Sequence, residues 1–117
     1  MGISMNQARD VFAREALEKL QAGEALLVDV RESWEYKEVR APGAMLVPLS
    51  EFTVRYTELP HDKELLIVCH SGYRSLQAAN FLLRHGYEQA ANVVGGMEEW
   101  EVAGLPVERG APEDGLH

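Results

Sequence analysis

Short runs of apolar residues recur along the chain, separated by charged segments and glycines. Four of them have the length of a strand and cover residues 25–30, 45–47, 65–68 and 92–94. The first and third runs lack the polar alternation of a strand with one solvent-facing side. This pattern is typical of strands buried on both faces, as in a parallel sheet.

Amphipathic segments lie between and before these runs. Residues 1–21 predict an N-terminal helical segment, since Ala8, Val11, Phe12, Ala16 and Leu20 roughly share one helical face. Ser4 and Gln7 fit a capping box at its start. Further helices are predicted around 33–40 with Ser33 as cap, over 50–59 with Ser50 as cap, over 75–86, and over 97–103.

Strands that alternate with helices indicate the α/β class. We therefore predict a three-layer α/β/α sandwich with a small, mostly parallel central sheet. The chain has 117 residues, an ordinary length for one domain. Residues 108–117 are rich in glycine, proline and acids, and we expect them to form a flexible tail.

Composition and charge narrow the classes of function. Hydrophobic residues make up 46% of the chain, and its net charge is −8. An acidic surface repels nucleic acid and anionic membranes, so we expect neither as a partner. The longest apolar run is too short to span a membrane, which predicts a soluble, cytoplasmic protein. With one cysteine, and histidines outside metal-ligand spacing, we expect no disulfide, metal site or cofactor.

The single cysteine stands where a ligand site is expected. Cys69 ends the most apolar strand and opens a loop that leads into a helix, and ligands of open parallel sheets bind at this edge. A lone buried cysteine is usually a small hydrophobe. However, Gly72 allows inward-facing backbone amides, Arg74 adds a positive charge, and the helix beginning near Ser75 points its positive end there. These features favour the thiolate and predict a nucleophile in an anion cradle.

The length of this loop separates two chemistries. Four residues stand between Cys69 and Arg74. Protein tyrosine phosphatases have one residue more in the corresponding loop, which wraps a phosphoryl group. The tighter ring here suits a single added sulfur atom better, so a phosphatase is the less favoured enzyme.

At this point the sequence resembles the rhodanese-like family of sulfurtransferases. Residues 69–75, Cys-His-Ser-Gly-Tyr-Arg-Ser, are similar to the family's active-site loop. Three further blocks resemble its other signatures: Asp-Val-Arg-Glu at 29–32, Ala-Pro-Gly-Ala at 41–44, and Gly-Gly-Met-Glu-Glu-Trp at 95–100. The four blocks appear in family order, and the resemblance implies a rhodanese-like domain over 22–107.

The resemblance implies a role for each site residue. Cys69 is expected to become a persulfide, and Asp29 and Arg31 are expected to brace the loop. The outer sulfur would be bound by the backbone of the loop residues: His70, Ser71, Gly72, Tyr73, Arg74 and Ser75. At position 70 the family often has Arg or Lys, and a neutral histidine attracts a dianion such as thiosulfate less.

The implied activity is transfer of sulfur from thiosulfate or a persulfide to a thiol or cyanide-like acceptor. A sulfur-accepting protein is a further expected partner. The alternative from another class is a non-catalytic rhodanese-like binding or regulatory module. Such modules often lack the cysteine or the loop, whereas this chain keeps Cys69, Gly72 and Arg74. The sequence therefore favours the enzyme.

Overall fold

The computed structural model describes residues 7–110. Its centre is a sheet of five strands in the order β1-β5-β4-β2-β3, and each neighbouring pair is parallel. The strands are β1 (Arg9–Val11), β2 (Ala25–Asp29), β3 (Met45–Leu46), β4 (Glu64–Val68) and β5 (Ala90–Val93). The helices are α1 (Ala13–Gln21), α2 (Ser33–Glu38), α3 (Phe52–Arg55), α4 (Tyr73–Arg84) and α5 (Gly96–Val102).

Successive residues of the central strand β4 belong to different hydrophobic cores. Leu65 and Ile67 pack with residues of α3 and α4, while Leu66 and Val68 pack with residues of α1 and α5. All four are fully buried. Because side chains of a strand alternate between faces, a strand covered on both sides needs apolar residues throughout. The predicted three-layer sandwich is confirmed.

The N-terminal helical prediction is wrong over Arg9–Val11. These residues form the edge strand β1, which pairs with β5, and the helix begins only at Ala13. Val11 is fully buried, and its carbonyl accepts the Val94 N–H. Burial and sheet pairing here outweigh the local helical pattern. Ser4, the expected cap, lies outside the described residues.

Two further capping predictions are corrected. Helix α2 is capped by Glu32, whose side chain accepts the backbone N–H of Glu35 while Glu35 accepts that of Glu32. Ser33 is its first helical residue. Ser50 donates to Glu32 Oε1 at 3.1 Å, and the helix expected over 50–59 divides into two 3₁₀ turns, Leu49–Glu51 and Tyr56–Glu58, around α3.

The start of the expected tail is held in place. Arg40 and Glu108 exchange two backbone hydrogen bonds, and the Gly110 N–H donates to the Lys37 carbonyl. The prediction of a flexible tail is therefore wrong for 108–110, and residues 111–117 lie outside the described part. Within residues 7–110, helices of membrane-spanning length and hydropathy are absent.

Candidate active site

Cys69 directly follows the central strand β4, at the carboxyl edge of the sheet. Its side chain is buried, with 1% of the residue exposed. The Gly72 N–H donates to Sγ at 3.1 Å, and the Ser75 hydroxyl lies 3.2 Å from Sγ. The thiol is thus enclosed by its own loop and by the first turn of α4.

The loop keeps its amides facing the sulfur because its conformation is fixed at two places. Gly72 has a φ of 110°, a left-handed conformation that favours glycine. On the outer side, the Met97 N–H donates to the Cys69 carbonyl at 2.8 Å, and the Glu98 N–H donates to the His70 carbonyl at 3.0 Å. The start of α5 therefore binds the loop carbonyls that point away from the sulfur.

Gly96 lets α5 approach this closely, and Gly96→Ala is expected to destabilise the domain. Gly96 has a φ of 59°, and a Cβ there would lie 2.4 Å from the Cys69 carbonyl oxygen. Backbone strain and overpacking together should lower the free energy of unfolding by roughly 2–4 kcal/mol, measured by denaturant titration.

Gly104→Ala is the matched control for Gly96→Ala. Gly104 has a φ of 72°, but a Cβ there would meet no atom within 4 Å. Gly104→Ala should lower the free energy of unfolding only by the backbone strain, about 1 kcal/mol. If both variants lost the same free energy of unfolding, Gly96 would not be required for the contact between α5 and the loop.

The surroundings of Cys69 shift its ionisation toward the thiolate. Burial raises the pKa of the thiol, but hydrogen bonds outweigh this effect and leave the pKa below the usual cysteine value. They come from the hydroxyl and backbone N–H of Ser75 and from the backbone N–H groups of Gly72 and Ser71. A lowered pKa is what a nucleophilic thiol requires near neutral pH.

The Arg74 guanidinium binds a carboxylate instead of standing free beside the sulfur. Its two terminal nitrogens each lie 2.9 Å from an oxygen of Glu35, in a bidentate pair. The Arg74 guanidinium is the main cause that lowers the pKa of Glu35 to about 2, so the carboxylate stays charged at neutral pH. Arg74 therefore ties the start of α4 to α2, and its charge is largely compensated.

Asp29 and Arg31 form a buried ion pair at the end of β2. The Arg31 Nε lies 2.9 Å from Asp29 Oδ1, and Nη2 lies 2.7 Å from Oδ2. Arg31 also donates to the Val39 carbonyl at 2.6 Å, just after α2. This pair fixes α2, and α2 carries the Glu35 that holds Arg74. The bracing role expected for both residues stays a prediction.

Comparison with known proteins identifies the family. The model of the rhodanese-like domain matches residues 12–103, most of the chain. The chain belongs to the rhodanese-like domain family.

Two relatives of this rhodanese-like chain are named for sulfur chemistry. It is 40% identical over 84 residues to a putative sulfur carrier protein, YrkF, of Bacillus subtilis, covering 71% of this chain and 45% of that protein. It is 38% identical over 84 residues to a sulfurtransferase of Allochromatium vinosum, covering 72% of this chain and 78% of the relative. These names support sulfur transfer of the rhodanese type.

A solved structure confirms the rhodanese-like fold. The rhodanese-related protein from Thermoplasma volcanium superposes with a TM-score of 0.80 at 29% identity. The match covers 86% of this chain and 97% of that protein. Both the predicted fold class and the family resemblance of the sequence are therefore confirmed.

The remaining predicted residues of the rhodanese-like loop differ in exposure. His70 and Ser71 are exposed, and Tyr73 is 71% exposed at the first position of α4. The His70 ring lies 3.6 Å from the Glu98 carboxylate. The side chains of His70 and Tyr73 therefore face solvent, while the sulfur is enclosed by its loop and by α4.

Sequence reasoning missed two residues connected to this rhodanese-like site. Asn92 in β5 accepts the Ser75 hydroxyl at 2.6 Å, and its amide donates to Asp10 of β1 at 3.1 Å. Asn92 is 5% exposed. The available signal was an amide inside an otherwise apolar strand, since a buried polar side chain requires partners.

Proposed function

We propose that this domain transfers a sulfane sulfur through a persulfide on Cys69. The observation that supports this proposal best is the Sγ of Cys69 itself, enclosed by inward-facing amides in a short loop and with a lowered pKa. The backbone donors around Sγ would stabilise the negative charge of a sulfur atom added there.

The transfer takes place in two half-reactions. The Cys69 thiolate attacks the outer sulfur of the donor, an S–S bond forms, and the donor's own bond to that sulfur breaks. Sulfite leaves thiosulfate, or a thiolate leaves an organic persulfide, with the bonding electron pair. An acceptor thiolate or cyanide then attacks the outer sulfur, and Cys69 leaves as the thiolate. Such covalent catalysis predicts ping-pong kinetics.

The residues beside His70 favour an organic persulfide over thiosulfate as the donor. A cleft beside His70 is lined by Glu38 and the exposed Trp34. Three further charged residues of its lining are each paired: Glu35 with Arg74, Glu101 with Arg109, and Arg31 with Asp29. Glu98 stands next to His70 as well. The positive groups around this cleft are thus already paired with carboxylates and attract a dianion such as thiosulfate weakly, while Trp34 offers apolar contact to the carbon part of a larger donor.

The experiment measures the intact mass of the protein after incubation with each donor, and again after cyanide is added. We expect a gain of one sulfur atom that cyanide removes, with faster loading from an organic persulfide than from thiosulfate. Because Cys69 is the single cysteine, a cyanide-labile sulfur is located on it.

The other function classes are distinguished by this experiment together with an assay of phosphate release. A binding module would gain no sulfur from either donor, and this result would overturn the proposal. Release of phosphate from an aryl phosphate would favour the phosphatase that the sequence left as an alternative. Sulfur that loads but leaves only to a protein acceptor would support sulfur carriage, in line with the sulfur carrier name of one relative.

A further inference from the structure

A continuous row of four polar side chains leads from the sulfur to the edge of the sheet. Cys69 Sγ lies 3.2 Å from Ser75 Oγ, Ser75 Oγ lies 2.6 Å from Asn92 Oδ1, and Asn92 Nδ2 lies 3.1 Å from Asp10 Oδ1. Ser75 is fully buried and Asn92 almost so, while Asp10 is exposed. The row joins α4, β5 and β1, and its inner groups are sheltered from water.

The outer end of this row fixes the direction of its hydrogen bonds. An ionised Asp10 carboxylate can only accept, so the Asn92 amide must turn its N–H₂ group toward it. The amide oxygen of Asn92 then faces Ser75 and can only accept as well. A serine hydroxyl has one proton, and donating it to Asn92 leaves none for Cys69.

We propose that Asn92, oriented by Asp10, is a positioning residue that competes with Cys69 for the single hydroxyl proton of Ser75. In the thiol form, the Cys69 S–H donates to Ser75, Ser75 donates to Asn92, and Asn92 donates to Asp10. In the thiolate form, Ser75 must rotate and donate to Sγ, which deprives the buried Asn92 oxygen of its donor. Asp10 and Asn92 therefore oppose ionisation of Cys69.

If Cys69 carries a persulfide, as the proposed function requires, the Ser75 hydroxyl has a different partner in each of the two states of the cysteine. In the persulfide the charge lies on the outer sulfur, and the inner Sγ has neither a proton nor a full charge. Ser75 then donates to Asn92 without loss. When the acceptor removes the outer sulfur, Sγ becomes a thiolate and the same hydroxyl rotates back to stabilise it. Only the hydroxyl turns, and no covalent bond of Ser75 changes.

Other charged groups near the thiol are already paired. Arg74 of α4 binds Glu35 of α2, and Asp29 at the end of β2 binds Arg31. His70 of the loop lies against Glu98 of α5. The charged group that β1 contributes to the row is Asp10, which accepts the hydrogen bond from Asn92.

The test measures the pKa of Cys69 from its thiolate absorbance in an Asp10→Asn variant. The neutral amide no longer dictates the orientation of Asn92, which can turn its N–H₂ group toward Ser75 and free the hydroxyl proton for Sγ. The pKa of Cys69 should fall by about half a unit to one unit, the scale of one neutral hydrogen bond. Asp10 is exposed, so this variant is expected to fold.

Loss of a negative charge would also lower the thiol pKa through space, and a double-variant cycle separates the two causes. Asp10→Asn is repeated in a Ser75→Ala and in an Asn92→Ala background, where the row is interrupted. A shift confined to the intact row supports the proposal. An equal shift in either background, or no shift at all, overturns it. Because this measurement needs no sulfur donor, its result is independent of whether the protein transfers sulfur.

Discussion

A Cys69→Ser variant is expected to transfer no sulfur above background while it keeps its fold. A serine hydroxyl is not ionised near neutral pH and cannot carry a sulfane sulfur as a persulfide. The rate should fall on the order of 10³-fold or more, as for other enzymes that lose their nucleophile. The hydroxyl can still accept from the Gly72 N–H and pair with Ser75, so the free energy of unfolding should change by less than about 1 kcal/mol.

Steady-state thiocyanate formation and thermal unfolding, measured on the same preparations, check this expectation. A His70→Ala variant is a useful comparison, because it alters an exposed loop side chain and leaves the thiol in place. Full activity in the serine variant would show that the chemistry does not depend on this thiol. Unfolding of the variant would show instead that Cys69 is a structural residue.

The largest loss of stability is expected from Asp29→Asn. The substitution keeps the shape of the side chain but leaves the Arg31 guanidinium, itself 2% exposed, without its counter-charge. Breaking a buried ion pair in this way costs about 3–5 kcal/mol, a large part of the stability of a small domain. Denaturant titration measures the loss, and reduced sulfur transfer should accompany it because Arg31 fixes α2.

Asp62→Asn provides the matched control for Asp29→Asn. It makes the same chemical change at an exposed turn, and surface substitutions usually alter the free energy of unfolding by less than about 0.5 kcal/mol. If both variants lost the same small free energy of unfolding, the buried pair of Asp29 and Arg31 would not stabilise the domain more than a surface residue does.

Local patterns in the sequence were sufficient for most of the fold, because β2 and β4 are apolar on both faces. The edge strand β1 could not be predicted in this way. It has three residues, and its conformation depends on pairing with β5, about eighty positions later in the chain. The cap of α2 was misplaced for a related reason, since two adjacent residues could serve and the reciprocal bond with Glu35 selects Glu32.

In the candidate site, too, the features that are local in sequence could be predicted, whereas the contacts between distant residues could not. Cys69 and the glycine at 72 were predictable because the loop is continuous in sequence and its short length limits its shape. The partner of Arg74 was not, since Glu35 stands 39 positions earlier on another helix. Asn92 and Asp10 are likewise connected to the sulfur only through the order of the strands.

The two hydrogen bonds from the start of α5 to the loop carbonyls have a consequence for the energetics of catalysis. With the Cys69 and His70 carbonyls bound on the outer side, the peptide planes of the loop cannot turn over without breaking both bonds. The donors that would bind the outer sulfur of the proposed persulfide are thus in position before it arrives. A preorganised site of this kind spends no reorganisation energy when charge moves from one sulfur to the next.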